Sequence, residues 1–149
     1  SAAETDILHF SMHAQLDSEN SLSSFLAFQQ YAGDSGELTV NDLLSTRLKP
    51  NNLAFLASCD TSKVQSGEGL VSIPWAMLGS GSTSVISSQW GVNDKSTQLF
   101  ATAFYAEYLK GHSTSIALQK AAISLIQNKQ HGFHEPYFWA AFNILGDFR

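Results

Sequence analysis

Leu53-Ala54-Phe55-Leu56-Ala57-Ser58 (LAFLAS) is a near-continuous apolar run with no polar alternation, and Cys59 stands where it stops. A half-buried strand alternates polar and apolar residues; a run like this one reads as a strand covered on both faces, the situation of a strand inside a parallel sheet. Working upstream, Pro50-Asn51-Asn52 breaks the chain. Thr39 and Asp42 have the spacing of a capping box, opening a helix through about Ser45. Gly33-Asp34-Ser35-Gly36 is a turn cluster. Leu22 to Gln30 reads as a short strand or hairpin arm. Asp6 to Met12 (DILHFSM) is a strand that gives way to the polar stretch His13 to Asn20.

Downstream of Cys59, a polar loop from Asp60 to Gly67 leads to a helical stretch, Gly69 to Leu78. Pro74 sets the start of its regular part near Ser72, and Gly79 and Gly81 end it. Thr83 to Trp90 reads as a strand centred on Val85 and Ile86. Asp94 is placed to cap a helix whose Leu99, Phe100, Ala103, Phe104 and Leu109 fall at helical spacing, stopped by Gly111. Ser113 or Thr114 opens another helix to about Asn128, with Ala117, Ala121 and Leu125 on one face. Glu135-Pro136 closes the connection to a last apolar run, Trp139 to Leu145. Strands alternating with helices predict an α/β sandwich of three layers around a mostly parallel sheet. No internal repeat and no linker divides the 149 residues, a length suited to one domain.

Composition narrows the function. Hydrophobic residues make up 44% of the chain, enough for a sizeable core, and the net charge is −5. That balance gives no electrostatic footprint for nucleic acid or an anionic membrane. No apolar run approaches the ~18 residues of a spanning helix. Charged residues are only 14%, against about 25% in an ordinary soluble domain. Either hydroxyls serve as the polar surface, or part of that surface is covered by further protein. The lone cysteine excludes an internal disulfide framework and a Cys-rich zinc site, and no secretory signal is visible, so the expected compartment is the cytoplasm. There is no phosphate-binding G-x-x-x-x-G-K-[ST], no dinucleotide fingerprint and no G-x-S-x-G elbow, so no cofactor is expected.

In parallel α/β sheets, function collects beyond the carboxyl ends of the strands. His13 and Cys59 both stand at such ends, and neighbouring strands lie ~4.8 Å apart. A thiol becomes a competent nucleophile as thiolate, and a nearby imidazole both accepts its proton and protonates a leaving amine. The alternative is that Cys59 packs as a small hydrophobe. His9 shares a strand face with Ser11 and His13; as a metal ligand it lacks partners at matching spacing, so it is expected to be packed or hydrogen-bonded. His131, His134 and Glu135 form a small polar cluster expected to be a solvated loop.

The blocks ILHFSMHA, LAFLASCDTS, GEGLVSIPWAMLGSGSTSVISSQWGVND and EPYFWAAFNILGD, in this order, resemble the CHAT domain, a caspase- and separase-like group of cysteine peptidases often attached to tetratricopeptide repeats. The resemblance spans nearly the whole chain. It implies a caspase-like α/β/α sandwich, proteolysis without a cofactor, His13 as catalytic imidazole, Cys59 as nucleophile, and the backbone N–H groups of Cys59 and Ala14 as an oxyanion hole. One such donor is typically worth ~3 kcal/mol in the transition state. The family usually has glycine where Ala14 stands. Metacaspases, which cleave after basic residues, carry Asp two positions before the nucleophile and caspases carry Gln; this chain has Ala57. Asp60, Glu68, Trp90 and Asp94 are further candidates for a substrate pocket, with a flexible turn the alternative for Glu68, a core aromatic for Trp90 and the helix cap for Asp94. Because family members have strands before the histidine-bearing one, residues 1–149 are expected to form the C-terminal part of such a domain. The expected partners are a protein or peptide substrate and either the N-terminal remainder of the domain or a tetratricopeptide-type regulatory segment. A catalytically silent binding module and, more remotely, a flavodoxin-like small-molecule binder are the competing classes.

Overall fold

A computed structural model describes residues 6–17, 19–48, 50–58, 68–129 and 132–149, with the side chains of 58 and 68–72 outside that description. The LAFLAS segment lies in β5 (Asn51–Ser58), the second strand of a four-stranded sheet in which β1 (Ile7–Met12), β5 and β6 (Ser82–Ser88) run parallel and β7 (Phe142–Gly146) runs antiparallel. The order is β1-β5-β6-β7, so β1 and β7 are the edges. Three short strands, β2 (Ala14–Gln15), β3 (Phe25–Ala27) and β4 (Glu37–Thr39), make a separate antiparallel sheet directly after β1.

The apolar run in β5 is explained by burial on both sides: Leu53 through Ala57 are each at most 3% exposed. Leu53, Phe55 and Ala57 pack with Ile86, Phe100, Phe104, Ala117, Ala121 and Leu125 beneath α3 (Asp94–Tyr108) and α4 (Thr114–Gln127). Ala54 and Leu56 pack with Val85, Leu43, Ile73 and Met77 beneath α1 (Val40–Ser45) and α2 (Glu68–Ser80). Two cores separated by one sheet make the α/β/α layering. The period-2 alternation of β1 divides likewise: Leu8, Phe10 and Met12 belong to the α1/α2 side, while His9 contacts Phe55 and Tyr105 on the α3 side.

Local signals explain most boundaries. The Thr39 hydroxyl accepts from the Asp42 N–H and the Asp42 carboxylate accepts from the Thr39 N–H, the reciprocal box that starts α1. Ser113 caps α4 and Ala117, Ala121 and Leu125 form its buried face. Gly146 ends β7 at φ +89°, and a Cβ there would collide with the Thr83 carbonyl and the Leu78 side chain.

Several boundaries depart from the sequence reading. The cap of α3 is Asn93, whose side-chain oxygen accepts from the Lys95 and Ser96 N–H groups; Asp94 occupies the first turn, where a carboxylate still suits the helix dipole. The second helix begins at Glu68 and not near Ser72, so Glu68 is no flexible turn and Pro74 lies inside the helix. Pro74 has no N–H to donate, yet buried Ile73, Ala76 and Met77 hold that segment to the sheet and outweigh one missing bond. Asn51 and Asn52 belong to β5 instead of breaking the chain before it, because Asn51 pairs with Ser82. Leu22 lies in a 3-10 turn, Ser21–Ser23, ahead of β3. The sixth strand stops at Ser88, short of Trp90, and Gly79 lies within α2. Pro136 opens α5 (Pro136–Trp139) rather than closing a connection, a first-turn position suited to its fixed φ.

Candidate active site

The strands β1 and β5 end together. Their ladder runs in register from Ile7↔Leu53 to Met12↔Ser58, so the residues immediately before His13 and before Cys59 in the sequence are cross-strand partners. Cys59 and Asp60 lie outside the described residues. His13 is exposed. It sits between Met12 and Ala14, both packed in the α1/α2-side core, so alternation turns the His13 side chain to the opposite, α3 side.

The β2–β3 pair fixes the backbone just after His13. The His13 carbonyl accepts from the Ala27 N–H at 2.9 Å, and Ala14 stands opposite Leu26. Antiparallel ladders alternate bonded and non-bonded pairs, which makes Ala14↔Leu26 a non-bonded pair and turns the Ala14 N–H away from β3. Among the described non-glycine residues only Ala32 has positive φ. Ala14 therefore carries no left-handed backbone strain where family members usually have glycine.

Of the remaining pocket candidates, Ala57 is 1% exposed and pairs with Ser11. Trp90 is held by packing: its indole N–H donates to the Tyr137 carbonyl at 3.0 Å, its ring stacks on Tyr137, and the Tyr137 hydroxyl donates to the Gly91 carbonyl. Those contacts fit the core-aromatic reading. The backbone of Glu68 opens α2, on the other side of the sheet from α3. Asp94 is exposed and lines an open groove of about 280 Å³ whose floor is His9 and Ser11 of β1 and whose wall is the Thr97, Gln98 and Tyr105 face of α3.

His9 is packed and hydrogen-bonded, as its place on the strand suggests. Its ring stacks on Phe55 at 5.1 Å and its Nδ1 lies 2.8 Å from the Tyr105 hydroxyl oxygen. Burial of one ring face lowers the His9 pKa below its ordinary value, and burial likewise raises that of Tyr105. At neutral pH an uncharged imidazole and a protonated phenol thus share this hydrogen bond, and the imidazole tautomer decides which of the two donates. His134 lies 3.4 Å from the Glu135 carboxylate; His131 is outside the described residues. Among the described residues no group of three or more His, Cys, Asp or Glu is arranged to hold a metal, and no helix is long and apolar enough to cross a membrane.

The groove between β1 and α3 escaped the sequence reading. The alternation that aligns His9, Ser11 and His13 was legible, but the facing stripe Asp94, Thr97, Gln98 and Tyr105 shows only when α3 is laid across that strand.

Comparison with known proteins adds the family. No curated protein matches the chain. The family model of the CHAT domain matches residues 1–147, and its caspase-like α/β architecture agrees with the layered sheet described above. The chain belongs to the CHAT domain family.

Proposed function

We propose that the chain is the peptidase portion of a CHAT protein and hydrolyses a peptide bond through Cys59 and His13. The observation that carries this reading is the common end of β1 and β5, in which Met12 pairs with Ser58. That register sets the last residues of the two strands side by side, ~4.8 Å apart, the arrangement that a Cys59–His13 pair requires. His13 takes the thiol proton, and the Cys59 thiolate attacks the scissile carbonyl carbon. The N–H groups of Cys59 and Ala14 receive the oxyanion, and the outward turn of the Ala14 N–H from the β2–β3 ladder suits that role. His13 returns the proton to the departing amine. Water, deprotonated by His13, then releases the acyl group from the thioester.

The outer edge of β1 supports a partner. Among the described residues no strand pairs on that side, and ILHFSM carries no Pro, Gly or charged residue of the kind that usually guards an edge. The N-terminal remainder of the domain, or a tetratricopeptide-type regulatory segment, fits there. A single catalytic thiol is best kept in a reducing compartment such as the cytoplasm.

The test is to incubate the protein, wild type and Cys59→Ala, with a cell-lysate proteome and sequence the new N-termini. Cleavages present with wild type and absent with Cys59→Ala are expected. Identical N-termini in both samples overturn the reading and leave the binding module.

A further inference from the structure

Ser11 is the cross-strand partner of Ala57 and stands two residues before His13 on the same strand face. The groove described above therefore begins beside the candidate catalytic centre and runs back along β1 under α3. We propose that this groove receives the uncharged carboxamide side chain, glutamine or asparagine, of the substrate residue that contributes the scissile carbonyl, with the Thr97 hydroxyl as donor to the carboxamide oxygen. The proposal rests on the peptidase reading above and names the substrate class for the same site.

The observation that carries it is an unmet hydrogen-bonding group. Thr97 lines the wall, is 7% exposed, and its hydroxyl has no partner in the structure. A helical threonine ordinarily donates to the carbonyl four residues back. Here that carbonyl belongs to Asn93, and both its lone pairs are taken, by the Thr97 N–H and by the Ser96 hydroxyl, each at 2.9 Å. The Thr97 hydroxyl is left over, and a buried polar group without a partner is costly. Threonine in a helix has two accessible rotamers, so the hydroxyl can turn to an oxygen that enters the groove.

The rest of the lining selects the oxygen. Among the described residues no lysine or arginine lines the groove, and His9 and Tyr105 are uncharged at neutral pH, so a carboxylate meets no counter-charge there. Asp94, the one carboxylate of the lining, is already engaged and is not offered to a cation. A purely apolar side chain leaves the Thr97 hydroxyl unmet. A carboxamide brings one acceptor oxygen and two N–H donors. Acceptors for those donors are the Ser11 hydroxyl and the Thr102 hydroxyl, which gives its own proton to the Gln98 carbonyl at 2.7 Å. Ala57, small and buried, adds no charge at the head of the groove.

The test uses internally quenched peptide libraries, randomised except at one position that holds Gln, Glu, Leu or Arg, on the protein as it stands and on its Cys59→Ala, Thr97→Val and Thr97→Ser variants. A parallel NMR titration with N-acetylglutamine amide reads the groove independently of catalysis. Expected are Cys59-dependent cleavage after Gln on the order of tenfold faster than after Leu, a ratio that falls toward one in Thr97→Val and is retained in Thr97→Ser, and shifts at Ser11, Thr97 and Gln98 that vanish in Thr97→Val. Thr97→Val is also expected to melt no lower than wild type, because it removes a hydroxyl that lacks a partner. A lower melting temperature shows that the hydroxyl is already bonded and overturns the proposal. Cleavage that favours Leu, Glu or Arg, or a Gln preference that survives in Thr97→Val, overturns the proposal and keeps the peptidase. If no library is cut the peptidase reading falls, and the titration then decides the groove alone: shifts lost in Thr97→Val retain a carboxamide site, and their absence overturns it.

Discussion

Phe55 joins the core to the candidate site, so replacing its ring tests both. It is fully buried, and its ring meets those of His9 at 5.1 Å, Phe104 at 5.5 Å, Tyr105 at 5.8 Å and Phe142 at 5.8 Å. Phe55→Leu keeps most of the apolar area and removes the aromatic pairs. Each such pair is worth about 0.5–1.5 kcal/mol beyond its area, so losing the three with Phe104, Tyr105 and Phe142 costs roughly 2–4 kcal/mol. That is a large part of the 5–15 kcal/mol that holds an ordinary domain together. At about 2–4 °C per kcal/mol for a chain of this size, the melting temperature falls by roughly 4–16 °C. The smaller leucine covers the His9 imidazole less completely than the stacked ring does, so its titration, lowered by burial, moves up toward the ordinary histidine value of about 6.5. Urea unfolding followed by circular dichroism reads the first effect, and NMR titration of the His9 ring reads the second. A stability loss under about 1 kcal/mol, or a His9 titration that does not move, refutes the assigned role of the Phe55 ring.

Other consequences concern single residues. Lys110 and Lys120 each hold Glu107 at 2.6 Å, tying α3 to α4 and lowering its pKa to about 2. A carboxylate depressed in the folded state stabilises above its unfolded pKa, near 4.5, and loses that contribution as pH falls from there through about 2. Glu107→Gln should flatten the acid limb of a stability-versus-pH curve in that window; a parallel curve contradicts the assignment. Asn51 is 1% exposed, and neither its amide nor the Ser82 hydroxyl across the ladder has a hydrogen-bond partner in the structure. Removing a buried unpaired amide relieves about 1–3 kcal/mol, so Asn51→Leu is expected to raise the melting temperature, and a lowered one rejects the burial. Gly146→Ala meets both an unfavourable φ and the Thr83 carbonyl. It is expected to cost at least the 1–2 kcal/mol of a left-handed residue, and unchanged thermal unfolding overturns that.

The fold was legible where one residue class dominated. LAFLAS announced a strand covered on both faces, Thr39 with Asp42 announced a cap, and Ala117, Ala121 and Leu125 announced a helix face, because each signal is local and survives packing. Tertiary contacts decided the rest. Pro74 was read as a helix start, yet buried Ile73, Ala76 and Met77 carry the helix through it. Asn51 was read as a breaker, yet pairing with Ser82 recruits it into β5. Asp94 and Asn93 are adjacent capable caps, and only the geometry of the first turn selects Asn93. At the site, placing His13 and Cys59 at strand ends foreshadowed the common end of β1 and β5. The groove was not foreseeable, because Ser11 and Thr97 are unremarkable residues until β1 and α3 are brought face to face.

The pairing of Cys59 with His13 is tested most directly by the pH dependence of Cys59 alkylation by iodoacetamide, in wild type and His13→Ala. A thiol beside an imidazole ionises below the usual value of about 8.5. The expected result is an alkylation midpoint below that value in wild type, which rises to it in His13→Ala. An ordinary midpoint in wild type, or one that His13→Ala leaves in place, means that the two side chains do not meet.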